Sequence, residues 1–187
     1  LSATDLRFIL DDCRAKVVVA EPGLAAALGD PGRARVLTFE ELVSGAHPGP
    51  AAAEPVGRDA MAFWLYTSGT TGTPKAAVHC HRSLLACALY ADGVLSVSPE
   101  DRVFSTSRLF FAYALGNALA IPLYAGGSAY LHPAWPEPSD VLDVLPQVAP
   151  DVLFSVPAYW EKLARAMSAS GSSREARQIA LERATGG

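Results

Sequence analysis

The sequence predicts an α/β fold, a layered and mostly parallel sheet flanked by helices. Three observations carry this reading. Short apolar runs such as Lys16–Ala20 (KVVVA) and Met61–Tyr66 (MAFWLY) suit buried strands. Stretches with helical spacing of apolar residues lie between such runs. Strands and helices alternate along the chain, the pattern of parallel layered sheets. No internal repeat is visible.

The elements follow in order. Thr4 is expected to cap a helix running through Ala15, with Leu6, Ile9, Leu10 and Cys13 on one face. Lys16–Ala20 is the first strand, Pro22–Leu28 a short helix, Arg35–Phe39 a second strand and Glu40–Val43 a helical turn. Residues 44–58 (SGAHPGPAAAEPVGR) have no apolar periodicity and read as a surface linker. Met61–Tyr66 and Ala76–His79 are strands joined by a hydroxyl-rich loop. Then come a helix over Ser83–Gly93, a strand over Val103–Thr106, a helix over Phe111–Ala125 and a strand over Ser128–Leu131. Ser139 is expected to cap a helix to about Val148, Val152–Val156 to form a strand, and Pro157 to open a helix through Met167. The chain thus divides into an α/β segment (1–43), the linker (44–58), an α/β subdomain (59–167) and a polar tail (168–187) with room for one helix, Ser173–Arg183.

Composition narrows the function classes. The 187 residues are 50% hydrophobic, which suits a globular core and excludes disorder over most of the length. A net charge of −4 argues against a nucleic-acid or anionic-membrane surface. Three cysteines (Cys13, Cys80, Cys87) without CxxC spacing speak against a disulfide framework or a zinc site, and fit a reducing cytoplasm. The chain opens at Leu1 with no charged-then-apolar leader, so no secretory signal is expected. Both ends read as cut, which makes a piece of a larger protein the expectation. Leu109 to Pro136 lacks charged residues and has the length of a membrane span. Asn117, Pro122 and Gly126-Gly127 interrupt it, leaving a helix of about four turns and a following strand.

The loop Tyr66-Thr67-Ser68-Gly69-Thr70-Thr71-Gly72-Thr73-Pro74-Lys75 carries the chemistry. Gly69 and Gly72 let the backbone approach a ligand and turn its N–H groups inward. Thr67, Ser68, Thr70, Thr71 and Thr73 add uncharged donors, and Lys75 adds a cation in a chain with only three lysines against twelve arginines. Many neutral donors and one cation suit a polyphosphate. This is not the usual P-loop, because Pro74 precedes the lysine, Ala76 follows it, and the next element is a strand. The plainer reading is a solvated turn; the run is longer than a hairpin needs. His79 and His81 share one face of a strand, but no third ligand accompanies them, so no metal site is expected. His47 and His132 carry no motif.

The run TSGTTGTPK resembles the signature loop of the adenylate-forming enzymes: acyl- and aryl-CoA ligases, luciferases and peptide-synthetase adenylation domains. Phe63-Trp64-Leu65-Tyr66, Val78-His79-Cys80-His81 and the segment Arg108 to Asn117 (RLFFAYALGN) are similar to the benzoate- and 4-hydroxybenzoate-CoA ligase branch. The resemblance extends over residues 1 to 165 and is strongest from 63 to 131.

The resemblance implies a partial copy of the large domain of these enzymes. It implies ATP, Mg²⁺ and CoA as cofactors, and an aryl carboxylic acid as substrate. The acid is activated to an acyl-adenylate and then converted to a CoA thioester. By matching positions, Thr67 to Thr73 hold the β- and γ-phosphates with Lys75 nearby, while Ala76 stands where the family has glycine. Phe111, Ala112, Tyr113 and Gly116 are the implied acid-pocket residues, and a buried core role is the competing reading for them. No catalytic residue of the later family motifs is found, so the remainder of the enzyme is an expected partner. Two alternatives stay open: an adenylation domain loading a carrier protein, and a truncated, non-catalytic fragment. A partial sheet leaves apolar edges, so self-association of the isolated chain is expected.

Overall fold

Local capping signals set the starts of three helices in the computed structural model, which describes residues 2–29, 31–45, 49–50, 52–67 and 72–169. The chain falls into two units: residues 1–57 with 62–79, and residues 58–61 with 80–187.

The first unit begins with α1 (Ala3–Cys13). Its cap is Ser2, not Thr4. The Ser2 hydroxyl accepts from the Asp5 amide (3.1 Å), and the Asp5 carboxylate accepts from the Ser2 amide (2.8 Å). These bonds hold the Asp5 carboxyl below its usual range, the backbone one foremost. The helix stops before Ala15 because Arg14 turns left-handed (φ 51°). After β1 (Val17–Val19) and α2 (Pro22–Leu28), β2 (Arg35–Leu37) pairs parallel to β1, with Val18 opposite Val36. The strand expected to reach Phe39 ends earlier because Thr38 caps α3 (Phe39–Ser44). The Glu41 amide donates to the Thr38 hydroxyl (3.1 Å) and the Thr38 amide to the Glu41 carboxylate (2.8 Å). Strand β3 (Met61–Thr67) pairs with β4 (Lys75–Cys80). Thr67 meets Lys75, and the Phe63 and His79 rings stack at 4.8 Å, so the two strands run in opposite directions. The Tyr66 hydroxyl donates to Asp12 (2.6 Å) and ties β3 to α1.

The second unit holds the parallel sheet. Helix α4 (Ser83–Tyr90) passes into a π-helical turn over Ala91–Leu95, so the expected helix to Gly93 changes its hydrogen bonding before it ends. Strand β5 (Arg102–Ser105) is central, flanked by β6 (Ser128–Tyr130) and β7 (Val152–Phe154), both parallel to it. The β5–β6 crossover is helical from Ala112 to Ala125, comprising α5 (Ala112–Ala114), a π-helical stretch (Leu115–Ala120) and α6 (Ile121–Ala125). Gly126 ends it with φ +77°, where a residue without Cβ is unstrained.

Helix α7 (Pro138–Val148) links β6 to β7, and α8 (Pro157–Ala169) follows β7. The N-cap of α7 is Glu137 rather than Ser139, and the Asp140 carboxylate accepts the Glu137 amide (2.8 Å). Phe104 and Leu153 from the sheet pack with Val141 of α7 and with Leu163 and Met167 of α8 to form the core. Phe104 is fully buried and meets the Tyr130 ring edge-on at 5.3 Å. Burying one such side chain stabilises by about 2–3 kcal/mol, which makes Phe104 the keystone of this layer. The tail helix expected over Ser173–Arg183 lies outside the described residues. Among the described residues, no helix is long and apolar enough to cross a membrane.

Candidate functional site

The hairpin of β3 and β4 positions the loop singled out in the sequence. Phe63 to Tyr66 of β3 are half-buried, and the loop leaves at the open end of the hairpin. Thr67 is exposed, and its hydroxyl points at the Lys75 carbonyl oxygen (3.5 Å). Ser68, Gly69, Thr70 and Thr71 lie outside the described residues. Gly72 takes φ +83°, and a Cβ placed there would meet nothing within 4 Å, so its surroundings are open to a ligand. Thr73 is exposed and Pro74 is buried, which fixes the end of the loop where β4 begins. Lys75, the first residue of β4, is exposed and makes no ion pair with any described residue. The arrangement offers a cation and an uncrowded backbone to an anion.

Among the described residues, no group of three His, Cys, Asp or Glu side chains could hold a metal ion. His79 is occupied by stacking on Phe63. The three cysteines are half-buried and unbridged. Cys80 lies 3.6 Å from the Ser83 hydroxyl. That hydrogen bond, with lesser help from Arg82, holds the thiol below its usual range.

The second predicted group sits at the start of the β5–β6 crossover. Phe111 is the N-cap of α5, with its amide donating to the Arg108 carbonyl (3.0 Å). Its ring joins those of Phe110 (4.5 Å) and Trp135 (5.9 Å) in an exposed aromatic cluster. Ala112 is exposed on the first turn. The Tyr113 hydroxyl donates to the Ser155 carbonyl (3.2 Å), and its ring stands edge-on to Phe154. Burial pushes this phenol up from its ordinary value. Gly116 lies in the π-helical stretch, where a Cβ would come within 3.5 Å of Cys87 Sγ, so α4 passes close by. Phe111, Ala112 and Tyr113 are accessible, and Gly116 is half-buried.

A cleft of about 360 Å³ opens at the carboxyl ends of β5 and β6, lined by Ser105, Ser107, Arg108, Phe110, Leu131 and His132 among others. Ligands of parallel sheets gather at this end of the strands. Thr106 also lines the cleft; its buried hydroxyl is 2.6 Å from that of Ser155, and its amide donates to the Phe154 carbonyl. None of the four predicted pocket residues lines this cleft. In the sequence Arg108 has no assigned role and His132 no motif. The available signal was a pair of hydroxyl-bearing strand ends, Ser105-Thr106-Ser107 and Ser155, each following a buried apolar run.

Comparison with known proteins identifies the family. The family model "AMP-binding enzyme" matches residues 1–185, and the chain belongs to that family. The chain is 34% identical over 184 residues to a 3-hydroxybenzoate–CoA ligase of Aromatoleum sp. (strain CIB), covering 88% of this chain and 34% of the relative. It is 36% identical over 177 residues to a benzoate–CoA ligase of Thauera aromatica, covering 87% and 33%. Among solved structures, a benzoate CoA ligase from Burkholderia xenovorans LB400 superposes with a TM-score of 0.76 at 32% identity, covering 87% of this chain and 34% of that one. The chain therefore spans about a third of the length of the relatives it matches.

Proposed function

We propose that this chain supplies the ATP phosphate loop and part of the acid pocket of an enzyme that activates an aryl carboxylic acid. The acid's carboxylate attacks the α-phosphorus of ATP, and pyrophosphate leaves. The thiol of coenzyme A then displaces AMP from the acyl-adenylate. Charge grows on the departing pyrophosphate, so preorganised donors and a cation aimed there lower the barrier. Thr67, Ser68, Gly69, Thr70, Thr71, Gly72 and Thr73 are assigned to the β- and γ-phosphates, with Lys75 as the cation. The observation that carries this reading is the hairpin end, where an exposed Lys75, without an ion-pair partner among the described residues, follows three residues after a left-handed Gly72 with open space around it.

Phe111, Ala112, Tyr113 and Gly116 are assigned to one wall of the acid pocket. The accessible rings of Phe111 and Tyr113 support that, since a flat aryl acid packs on ring faces and edges. Mg²⁺ is proposed to accompany ATP, held mainly by phosphate oxygens and water. Residues 44–58 are proposed as a surface linker. The reaction is placed in the cytoplasm, and the isolated chain is expected to self-associate through its exposed apolar side chains.

The test is ATP–pyrophosphate exchange by the complete protein with a panel of acids. Exchange with benzoate or hydroxybenzoates supports the reading. Exchange with fatty or amino acids alone would overturn the substrate class.

A further inference from the structure

We propose that Asp12 is a positioning residue for the loop that follows β3: by holding the Tyr66 hydroxyl, it fixes the direction in which the β3–β4 hairpin presents Thr67 and Lys75. The proposal rests on the assignment of that loop to the phosphates of ATP, and it names what aims the loop. Asp12 and Tyr66 both belong to the first unit.

Local chemistry makes the first argument. Asp12 is exposed in the last turn of α1, next to Asp11, and no basic residue accompanies the pair there. The carbonyl end of a helix disfavours acids, so this placement works against the helix that carries it. A residue set against its local preference points to a contact elsewhere in the fold. That contact is the Tyr66 hydroxyl, which donates to the Asp12 carboxylate at 2.6 Å across 54 positions of the chain. A phenol donating to a carboxylate at this length makes a charge-assisted bond, about twice as strong as a neutral one. Burial, and then the Asp12 carboxylate itself, push the Tyr66 phenol above its ordinary value, so it stays a donor.

Placement makes the second. Tyr66 is the next-to-last residue of β3, so the bond acts one residue before the strand ends. Side chains alternate along a strand: Trp64 and Tyr66 share one face, their rings 6.4 Å apart, and Thr67 turns to the other. Pinning Tyr66 against α1 therefore fixes the rotation of the strand end and the side to which Thr67 turns. The hairpin needs such an anchor. Among the described residues β3 and β4 form a two-stranded sheet, and a two-stranded hairpin is marginal by itself. The Phe63–His79 stack secures the pair toward its base. At the open end the Thr67 hydroxyl makes only a long contact with the Lys75 carbonyl oxygen (3.5 Å). Donors that must stand in place before charge develops lose their advantage if this end swings freely.

The complete protein is compared with Tyr66→Phe, which keeps the ring, with Asp12→Ala and Asp12→Asn, and with the double variant Tyr66→Phe/Asp12→Ala. Asp11→Ala removes an acid from the same helix end and is the control; Lys75→Ala reports on the loop itself. Two readouts are taken. One is amide hydrogen exchange of peptides spanning β3 and β4, without nucleotide. The other is ATP–pyrophosphate exchange with the acid the complete protein exchanges fastest, resolved into kcat and the KM for each substrate. Tyr66→Phe and Asp12→Ala should each speed amide exchange at the hairpin end and lower kcat/KM for ATP by about tenfold, with KM for the acid unchanged. A general loss of folding would not separate the two substrates in this way. The double variant should be no worse than either single one. Asp12→Asn, which keeps a neutral acceptor, should fall between, and Asp11→Ala should match the natural protein. Unaltered amide exchange or unaltered kcat/KM for ATP in Tyr66→Phe overturns the proposal, as does an Asp11→Ala loss equal to that of Asp12→Ala. If Lys75→Ala loses activity in the same assay, the positioning role alone has failed; if it does not, the phosphate assignment has failed as well. Should Asp12→Ala not fold, Tyr66→Phe decides.

Discussion

Replacing Gly127 by alanine tests how tightly the β5–β6 layer is built. A Cβ at this position would lie 2.8 Å from the Asp101 carbonyl oxygen and 3.0 Å from that of Ser98. Both obstacles are backbone, and both oxygens are engaged. The Asp101 carbonyl accepts from the Ser128 amide (3.0 Å), and the Ser98 carbonyl from the Asp101 amide (3.2 Å). Relief therefore requires the start of β6 to move away from β5 or the 98–101 turn to open. Either costs overpacking strain and part of a hydrogen bond, together about 2 kcal/mol. Two neighbouring changes calibrate the figure. Gly126→Ala meets only Pro99 at 3.8 Å but forces alanine to φ +77°, a penalty of about 1 kcal/mol. Gly23→Ala, inside α2 with nothing within 4 Å, should gain about 0.5–1 kcal/mol. In urea, 2 kcal/mol moves the midpoint by about 1 M at a slope of about 2 kcal/mol/M. A Gly127→Ala midpoint within about 0.2 M of the natural protein would refute the packing argument.

The Thr106–Ser155 hydroxyl pair should behave as a unit. Thr106→Val and Ser155→Ala each leave a buried hydroxyl unpaired at a cost of about 1–3 kcal/mol, and the double variant should lose at least 1 kcal/mol less than their sum, roughly. Strict additivity of the denaturation free energies would contradict that pairing. Tyr159 supplies a pH dependence. Burial, with Glu137 and Asp140 nearby, pushes its phenol up to about 12, and its hydroxyl donates to the Pro136 carbonyl (2.8 Å). A pKa raised on folding means the neutral phenol is favoured in the native state. Its contribution is complete below about pH 10 and is lost as pH climbs toward 12. Tyr159→Phe should flatten the fall of the denaturation midpoint across that window, and an equally steep fall would contradict the assignment.

Much of the layered order was legible because buried strands and amphipathic helices differ in period. The misplaced boundaries have local causes. Ser2 and Thr38 each stand three residues before an acid, and both capping boxes outrank the nearby choices Thr4 and a longer strand. Glu137 precedes Pro138 and takes the cap position expected of Ser139. The π-helical stretches carry the same apolar spacing as α-helix, so no periodicity reports them. At the candidate site, Gly72, Thr73 and Lys75 stood out because glycine, hydroxyl and a scarce lysine cluster in sequence. The cleft did not, because Arg108, Leu131 and His132 meet only once β5 and β6 are side by side. Trp135 was missed for the same reason, since its partners Phe110 and Phe111 are distant in the chain.

The central claim is that the segment from Thr67 to Lys75 holds the phosphates of ATP. The most direct measurement is the rate of ATP–pyrophosphate exchange by the complete protein with an aryl acid, for Lys75→Ala and Lys75→Arg beside the natural residue. Loss of a cation facing developing charge predicts a fall of about a hundredfold for Lys75→Ala, with Lys75→Arg retaining more. Exchange at an undiminished rate and with an unchanged KM for ATP in Lys75→Ala would contradict the claim.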